Sequence, residues 1–132
     1  LAEFHKVPKE YLSKCLQLLS KEGLIDSTLG PNGGYALAMP ASQITLLQIV
    51  EAVEGKQSSF QCTEIRKNNP CLKKGFPFSK TCLIAKAMYE ADEAWRSSLR
   101  HKKLSHLANE LGELLNESTK TNVANWFANQ KS

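Results

Sequence analysis

A run of turn-forming residues, Gly30-Pro31-Asn32-Gly33-Gly34, divides two short stretches that each mix apolar and polar side chains. Glycine tolerates positive φ and proline fixes its own φ, so such a run can form little except a tight turn. Residues 24–28 and 35–38 therefore read as the arms of a β-hairpin, the second closed by Pro40. Directly before them, Leu12, Cys15, Leu16 and Leu19 recur at helical spacing and define one apolar face of a helix over 8–21. Pro8 suits its first position because it has no N–H to leave unpaired, and Gly23 supplies a left-handed cap after Glu22. After the hairpin, Thr45 or a neighbour caps a third pattern over 46–53, closed by Gly55. Helix, hairpin and polar turn in this order are those of a winged helix-turn-helix. The expected fold class is mainly α with a small β-hairpin wing, joined to a long dimerisation helix.

Downstream, residues 56–79 show no period. Lysines, asparagines, Pro70, Gly75 and Pro77 make this a loop of more than twenty residues, a length usually reserved for function. A long helix is expected over 79–100, where Ile84, Met88, Ala91, Trp95 and Leu99 step by four, three, four and four. One narrow apolar stripe on a long helix needs another helix to cover it, and a second copy of the chain is the expected cover. Ser105 is expected to cap a further helix carrying Leu107, Leu111, Leu114 and Leu115. Residues 118–132 read as a polar tail, with Val123, Trp126 and Phe127 spaced for one short amphipathic turn. The parts expected are a winged helix-turn-helix over 1–42 whose first helix is missing, a connecting helix over 43–57, a cysteine-bearing loop over 58–79, the dimerisation and C-terminal helices over 80–117, and the tail.

A chain of 132 residues is the size of one ordinary domain. No apolar run approaches a membrane span, and no signal peptide is visible, so a cytoplasmic, membrane-free protein is expected. The net charge of +4 is uneven. Residues 1–30 hold four basic and four acidic side chains, whereas 61–103 hold ten basic and four acidic. That balance counts mildly against strong nonspecific DNA binding by this stretch alone. No nucleophile–base constellation or phosphate-binding loop is present, which argues against an enzyme.

Of four cysteines, Cys15 lies on the apolar side of its helix and reads as a small core residue. Cys62, Cys71 and Cys82 lie in or beside the basic loop, spaced Cys-x8-Cys-x10-Cys. Thiolates are soft ligands suited to iron–sulfur clusters or zinc. The same residues could instead form a reversible disulfide switch, or be thiols without a role. Lys67, Lys73, Lys74 and Lys80 would favour the thiolate form. No histidine lies in the loop, and His5 and His106 read as surface or packing residues. In the helix over 8–21, Pro8, Lys9, Glu10, Ser13 and Lys14 are candidates for base and phosphate contact, against the plainer reading of a solvated face. Ser27, Thr28 and Asn32 are the wing candidates, and Gly33 and Gly34 let the backbone come close to a ligand. Tyr11 is expected to pack on the wing.

These motifs together resemble the Rrf-two family of bacterial winged-helix regulators. The residues that carry the likeness are Tyr11-Leu12, Gly23-Leu24-Ile25, Gly30 to Ala38, and Ile44-Thr45-Leu46-Leu47-Gln48-Ile49-Val50-Glu51-Ala52-Val53-Glu54-Gly55. The likeness covers about residues 1–115. It implies a homodimer crossing over through the long helix and a double-stranded DNA operator held by the 8–21 helix and the wing. It also implies an iron–sulfur cluster held at the three cysteines, with a 2Fe–2S type favoured and further ligands in some branches from the partner's first helix. The expected function is that of a regulator, a repressor by preference, whose operator affinity follows the cluster or thiol redox state. Two positions depart from the family pattern. Leu29 and Met39 stand where arginines often contact the groove or a phosphate. They leave a second possibility, a cluster-less paralogue or accessory protein acting through protein–protein contacts without specific DNA binding.

Overall fold

The computed structural model describes every residue except 74, 76, 77, 79 and 130–132. In chain order it contains α1 (Ala2–His5), α2 (Lys9–Lys21), β1 (Ile25–Thr28), β2 (Gly34–Leu37), α3 (Leu46–Glu54), a 3-10 turn (Ile65–Asn68), α4 (Leu83–His101), α5 (Leu104–Leu114) and α6 (Glu117–Asn129). The fold is the expected one, helices with a two-stranded antiparallel wing.

Local chemistry accounts for each junction in the first half. Lys6 adopts a left-handed conformation (φ 52°), which lets the Val7 N–H reach the Ala2 carbonyl at 3.0 Å and turns α1 into α2. Pro8 is the N-cap of α2 rather than a residue of its first turn, and its carbonyl accepts the Leu12 N–H at 3.1 Å. At the far end Gly23 has φ 73°. The Gly23 and Leu24 N–H groups bond the Ser20 and Leu19 carbonyls, both at 3.0 Å, the paired pattern of a Schellman cap. The chain thus leaves α2 pointing inward, and Leu24 and Ile25 are buried. The wing pairs Ile25 with Leu37, Asp26 with Ala36, Ser27 with Tyr35 and Thr28 with Gly34. A capping box opens α3. The Gln48 N–H donates to Thr45 Oγ1 at 3.1 Å, and the Thr45 N–H donates to Gln48 Oε1 at 2.8 Å.

The core is small. Leu24, Ile44 and Ala52 form its centre, with Leu19, Met39, Ile49 and Leu104 packed around them. The corner between α4 and α5 is laced beneath the start of α3. The Leu104 N–H donates to the Ile44 carbonyl and the Leu46 N–H to the Lys102 carbonyl, both at 2.9 Å. Leu104 therefore packs, half-buried, against the core, although nothing local in the sequence distinguishes it from the other leucines.

Three expectations are corrected. The long helix begins at Leu83, with Cys82 in an extended conformation at its N-cap (φ −55°, ψ 134°), and the expected start at Ser79 lies outside the described residues. Lys103, not Ser105, is the N-cap of α5, because the lacing to Ile44 sets where the helix starts. The tail is more than a polar segment with one short amphipathic turn. It is the thirteen-residue helix α6, anchored where Trp126 and Phe127 meet Phe4, with ring centroids 4.9 and 5.2 Å apart. A non-local aromatic contact, absent from any window of the sequence, supplies the burial that the tail's composition does not.

The chain exposes 10623 Å². A compact monomer of this mass would expose roughly 7,000 Å². Exposed large hydrophobics include Ile84, Met88 and Trp95, exposed by 71%, 43% and 44%, on the outer face of α4. Leu107, Leu111 and Leu114 of α5 add to them.

Candidate functional site

α2 and the wing lie side by side in the chain and pack together through β1. Pro8, Lys9, Glu10 and Lys14 are exposed, while Ser13 is half-buried and accepts a long hydrogen bond (3.5 Å) from Gln17 Nε2. The outward face of α2 is thus a mixed charged surface. Ser27, Thr28, Asn32, Gly33 and Gly34 are all exposed. Within the wing turn, Gly30 has φ 110° and the Gly33 N–H donates to its carbonyl at 2.9 Å, with Pro31 and Asn32 between them. Gly33 is needed for a different reason. A Cβ there would stand 2.2 Å from the Thr28 carbonyl oxygen and 2.9 Å from that of Gly30. Leu29 is fully exposed at the wing tip. Tyr11 is 59% exposed. Its hydroxyl pairs with the Cys15 thiol one turn on, and this contact, together with burial and Glu54, raises the phenol above its ordinary range.

The second feature lies at the head of α4. Cys62 and Cys82, twenty residues apart in sequence, line one cavity of about 180 Å³ with Phe60, Ile65, Ile84 and Ala85. The Glu64 N–H lies 3.4 Å from the Cys62 sulfur. Ala85 and Ile84 amides at the open end of α4 hold the Cys82 thiol below its ordinary range, with Arg66 assisting and partial burial and Glu64 opposing. The principal causes do not include the expected lysines Lys67, Lys73 and Lys80, and Lys74 lies outside the described residues.

Arg66 was not singled out by its sequence. It bonds Glu64 at both carboxylate oxygens, donates from Nη2 to the Lys80 carbonyl at 3.1 Å, and lies 5.4 Å from the centre of the Phe78 ring. One cation therefore holds both ends of the cysteine segment, and its charge favours the Cys82 thiolate. Cys71 is exposed, outside that cavity, with its N–H donating to Asn69 Oδ1 at 2.9 Å. Among the described residues no three His, Cys, Asp or Glu side chains converge as a metal site. The donor chemistry of Cys62 and Cys82 fits a soft metal as two thiolate ligands. Among the described residues of the chain a closed ligand set is not assembled.

The stripe on α4 is divided. Ile84, Met88, Ala91 and Trp95 face outward, and Leu99 is half-buried. Ala85, at 2% exposure, turns toward the cavity instead. Among the described residues no helix is long and apolar enough to cross a membrane.

Residues 1–110 match the sequence pattern of Rrf2, described as an iron-dependent transcriptional regulator. The chain is 31% identical over 109 residues to the HTH-type transcriptional regulator YwgB of Bacillus subtilis, covering 83% of this chain and 66% of that protein. It is 36% identical over 96 residues to the protein rrf2 of Nitratidesulfovibrio vulgaris, covering 67% of this chain and 59% of that one. The chain thus spans less than two thirds of the length of these curated relatives. In structure it is similar to CymR, the global cysteine regulator of B. subtilis, with a TM-score of 0.62 at 22% identity over 83% of this chain and 74% of that one. It is similar to T. potens IscR, also with a TM-score of 0.62, at 18% identity over 87% and 69%. At these identities the structural likeness establishes the fold.

Proposed function

We propose, for a chain that belongs to the Rrf2 family of transcriptional regulators, that it is a homodimeric DNA-binding repressor whose operator affinity is set by an iron–sulfur centre at its cysteines. α2 enters the major groove with Lys9, Glu10, Ser13 and Lys14, with Pro8 fixing its start. The wing, through Ser27, Thr28, Asn32, Gly33 and Gly34, follows the adjacent backbone or minor groove. Two copies join along Ile84, Met88, Ala91, Trp95 and Leu99, which presents two readers to a palindromic site.

One observation carries the sensing part of this reading: Cys62 and Cys82 face a single cavity at the head of the helix whose outer stripe is exposed. Cys62 and Cys82 are the ligands this favours, with Cys71 as a third and a 2Fe–2S type preferred. A bound cluster supplies a charge that changes with oxidation and is lost on attack by oxygen or nitric oxide. The chain's own residues prepare for it. The amides of Ala85 and Ile84 favour the thiolate form of Cys82. Arg66 places a positive charge against both sulfurs and ties the segment closed at Lys80.

Anaerobic purification followed by iron and acid-labile sulfide analysis tests the proposal. Near-stoichiometric iron is expected, lost in Cys62→Ser and Cys82→Ser. A colourless, iron-free protein after anaerobic reconstitution would overturn it, as would operator binding that ignores both alkylation and oxygen.

A further inference from the structure

We infer that Arg96 is the positioning residue that couples the cysteine segment to the DNA-reading helix. The inference rests on the proposed cluster-gated reading and names the device by which the gate would reach α2.

Arg96 lies on α4, and its guanidinium reaches three parts of the chain at once. Nη1 donates to Glu51 Oε1 of α3 at 2.7 Å, and Nε donates to Asp92 Oδ2 one turn back on α4 at 3.1 Å. Nη2 donates to the carbonyls of Gln57 at 2.6 Å and Lys56 at 3.3 Å, in the first residues after α3. The other Asp92 oxygen accepts the Ser59 N–H at 3.2 Å. The side chains of Arg96, Asp92 and Glu51 are 12%, 10% and 23% exposed, so water competes less for the two ion pairs than it would at a fully exposed surface.

Even a buried ion network is weak evidence for stability, since hydrophobic packing of the same volume often does as well, and this half-buried one is weaker evidence still. What it adds is position. The planar guanidinium fork bonds only when all its acceptors stand at set distances and angles. Here it fixes α3, α4 and residues 56–59 relative to one another.

Both ends of the path are visible. Toward the sulfurs, Phe60 follows Ser59, lines the cavity shared by Cys62 and Cys82, and meets Tyr89 of α4 edge-on at 5.5 Å. Toward the DNA face, α3 packs against α2. The Lys56 ammonium, whose own carbonyl is held by Arg96, lies 3.5 Å from Glu22, the residue that ends α2. A shift of residues 57–62 along α4 therefore has two outcomes. It carries α3 and the end of α2 with it, or it breaks bonds at Arg96. A small number of strong, directional bonds gives discrete arrangements rather than continuous slack, which is what a switch requires.

The test compares operator dissociation constants for the dimeric protein with its sulfur centre intact and after that centre is removed anaerobically by chelation, in wild type, Arg96→Met and Glu51→Ala. Tm and iron content are followed in each. The wild-type ratio is expected to be tenfold or more, and to fall to within twofold of one in Arg96→Met while iron content stays unchanged. Glu51→Ala cuts only the link to α3 and leaves the bonds to residues 56 and 57. It is expected to lose the ratio too, which covers the case in which Arg96→Met fails to fold. A purely structural staple would lower Tm and leave the ratio intact in Glu51→Ala, and that result would overturn the inference alone. A wild-type ratio of one would instead overturn the cluster-gated reading, and the coupling role with it.

Discussion

Replacing Gly33 by alanine separates the wing from the rest of the fold. The new Cβ would lie 2.2 Å from the Thr28 carbonyl oxygen and 2.9 Å from that of Gly30. Ordinary van der Waals contact starts near 3.4 Å, so the first gap must widen by 3.4 − 2.2 = 1.2 Å. Both obstacles are backbone, so no side chain can rotate away, and the Gly33–Gly30 hydrogen bond that closes the turn must open. Overpacking of this kind costs about 1–3 kcal/mol. Three of the four β1 residues and all four of β2 are exposed, so the core does not feel the change. On the proposed reading the cost appears as lost DNA affinity. At about 1.4 kcal/mol per factor of ten, that is roughly a 5- to 150-fold weaker operator complex. Gly34→Ala is the control. Its Cβ would meet nothing within 4 Å and its φ is not positive, so a smaller loss is expected. Fluorescence anisotropy with promoter DNA, alongside thermal melts by circular dichroism, measures both. Wild-type affinity in Gly33→Ala, or a loss accompanied by global unfolding, would refute the argument.

Ile44, 1% exposed at the centre of a small core, should cost about 2–5 kcal/mol as Ile44→Ala, read by urea unfolding at fixed protein concentration. Met88→Asp on the outer face of α4 should convert a dimer to monomers in sedimentation equilibrium at micromolar concentration with the helical signal of each chain preserved; an unchanged dimer would remove α4 from the interface. Burial alone would raise the Asp92 carboxyl, but the Ser59 amide, the Arg96 guanidinium and the hydroxyls of Ser58 and Ser59 outweigh it and hold it below the ordinary 3.8. Its folded value is depressed, so the stability it contributes is present above 3.8 and is lost as pH falls through the lower folded value. Asp92→Asn should therefore flatten that acid limb of a Tm-against-pH profile, and an unchanged limb would refute the assignment.

What the sequence revealed and what it hid divides along one physical line. α2, the wing turn and α3 are written in local signals: a three-and-four apolar spacing, Gly23 where a left-handed cap is needed, and Thr45 three residues ahead of Gln48. Each acts within one or two turns, so a reading window contains both partners. Asp92 and Arg96 also stand at the four-residue spacing of a helix pair. Glu51 and the Gln57 carbonyl lie about forty residues from Arg96, and no window unites them. The same holds for Leu104 under Ile44 and for Trp126 against Phe4, and these are the places where the expected boundaries moved. At the candidate site, the α2 and wing residues were legible from their order. That Cys62 and Cys82 share a cavity, with Cys71 outside it, depends on Arg66 spanning to the Lys80 carbonyl, which composition does not encode.

Cys82 is the N-cap of α4, and the next two residues, Leu83 and Ile84, are 83% and 71% exposed at the start of the outer stripe. The sulfur site and the proposed interface therefore share one turn of helix. Closing a partner over Leu83 and Ile84 would exclude water from beside Cys82, and fixing Cys82 would hold that first turn against fraying. Two events that order the same residues lower each other's cost, and linkage makes the effect reciprocal. Whatever factor the occupied sulfur site adds to dimer affinity, the dimer must add to the affinity of that site for its metal. Coupling energies of this kind typically run about 1–3 kcal/mol, or roughly 5- to 150-fold. Sedimentation equilibrium of the protein, with its centre intact and after Cys82→Ser, should show the dimer dissociation constant rising by a factor in that range. Cys71→Ser, outside the shared turn, should raise it less. Equal effects at the two positions would mean that loss of the centre, and not the shared first turn of α4, governs association.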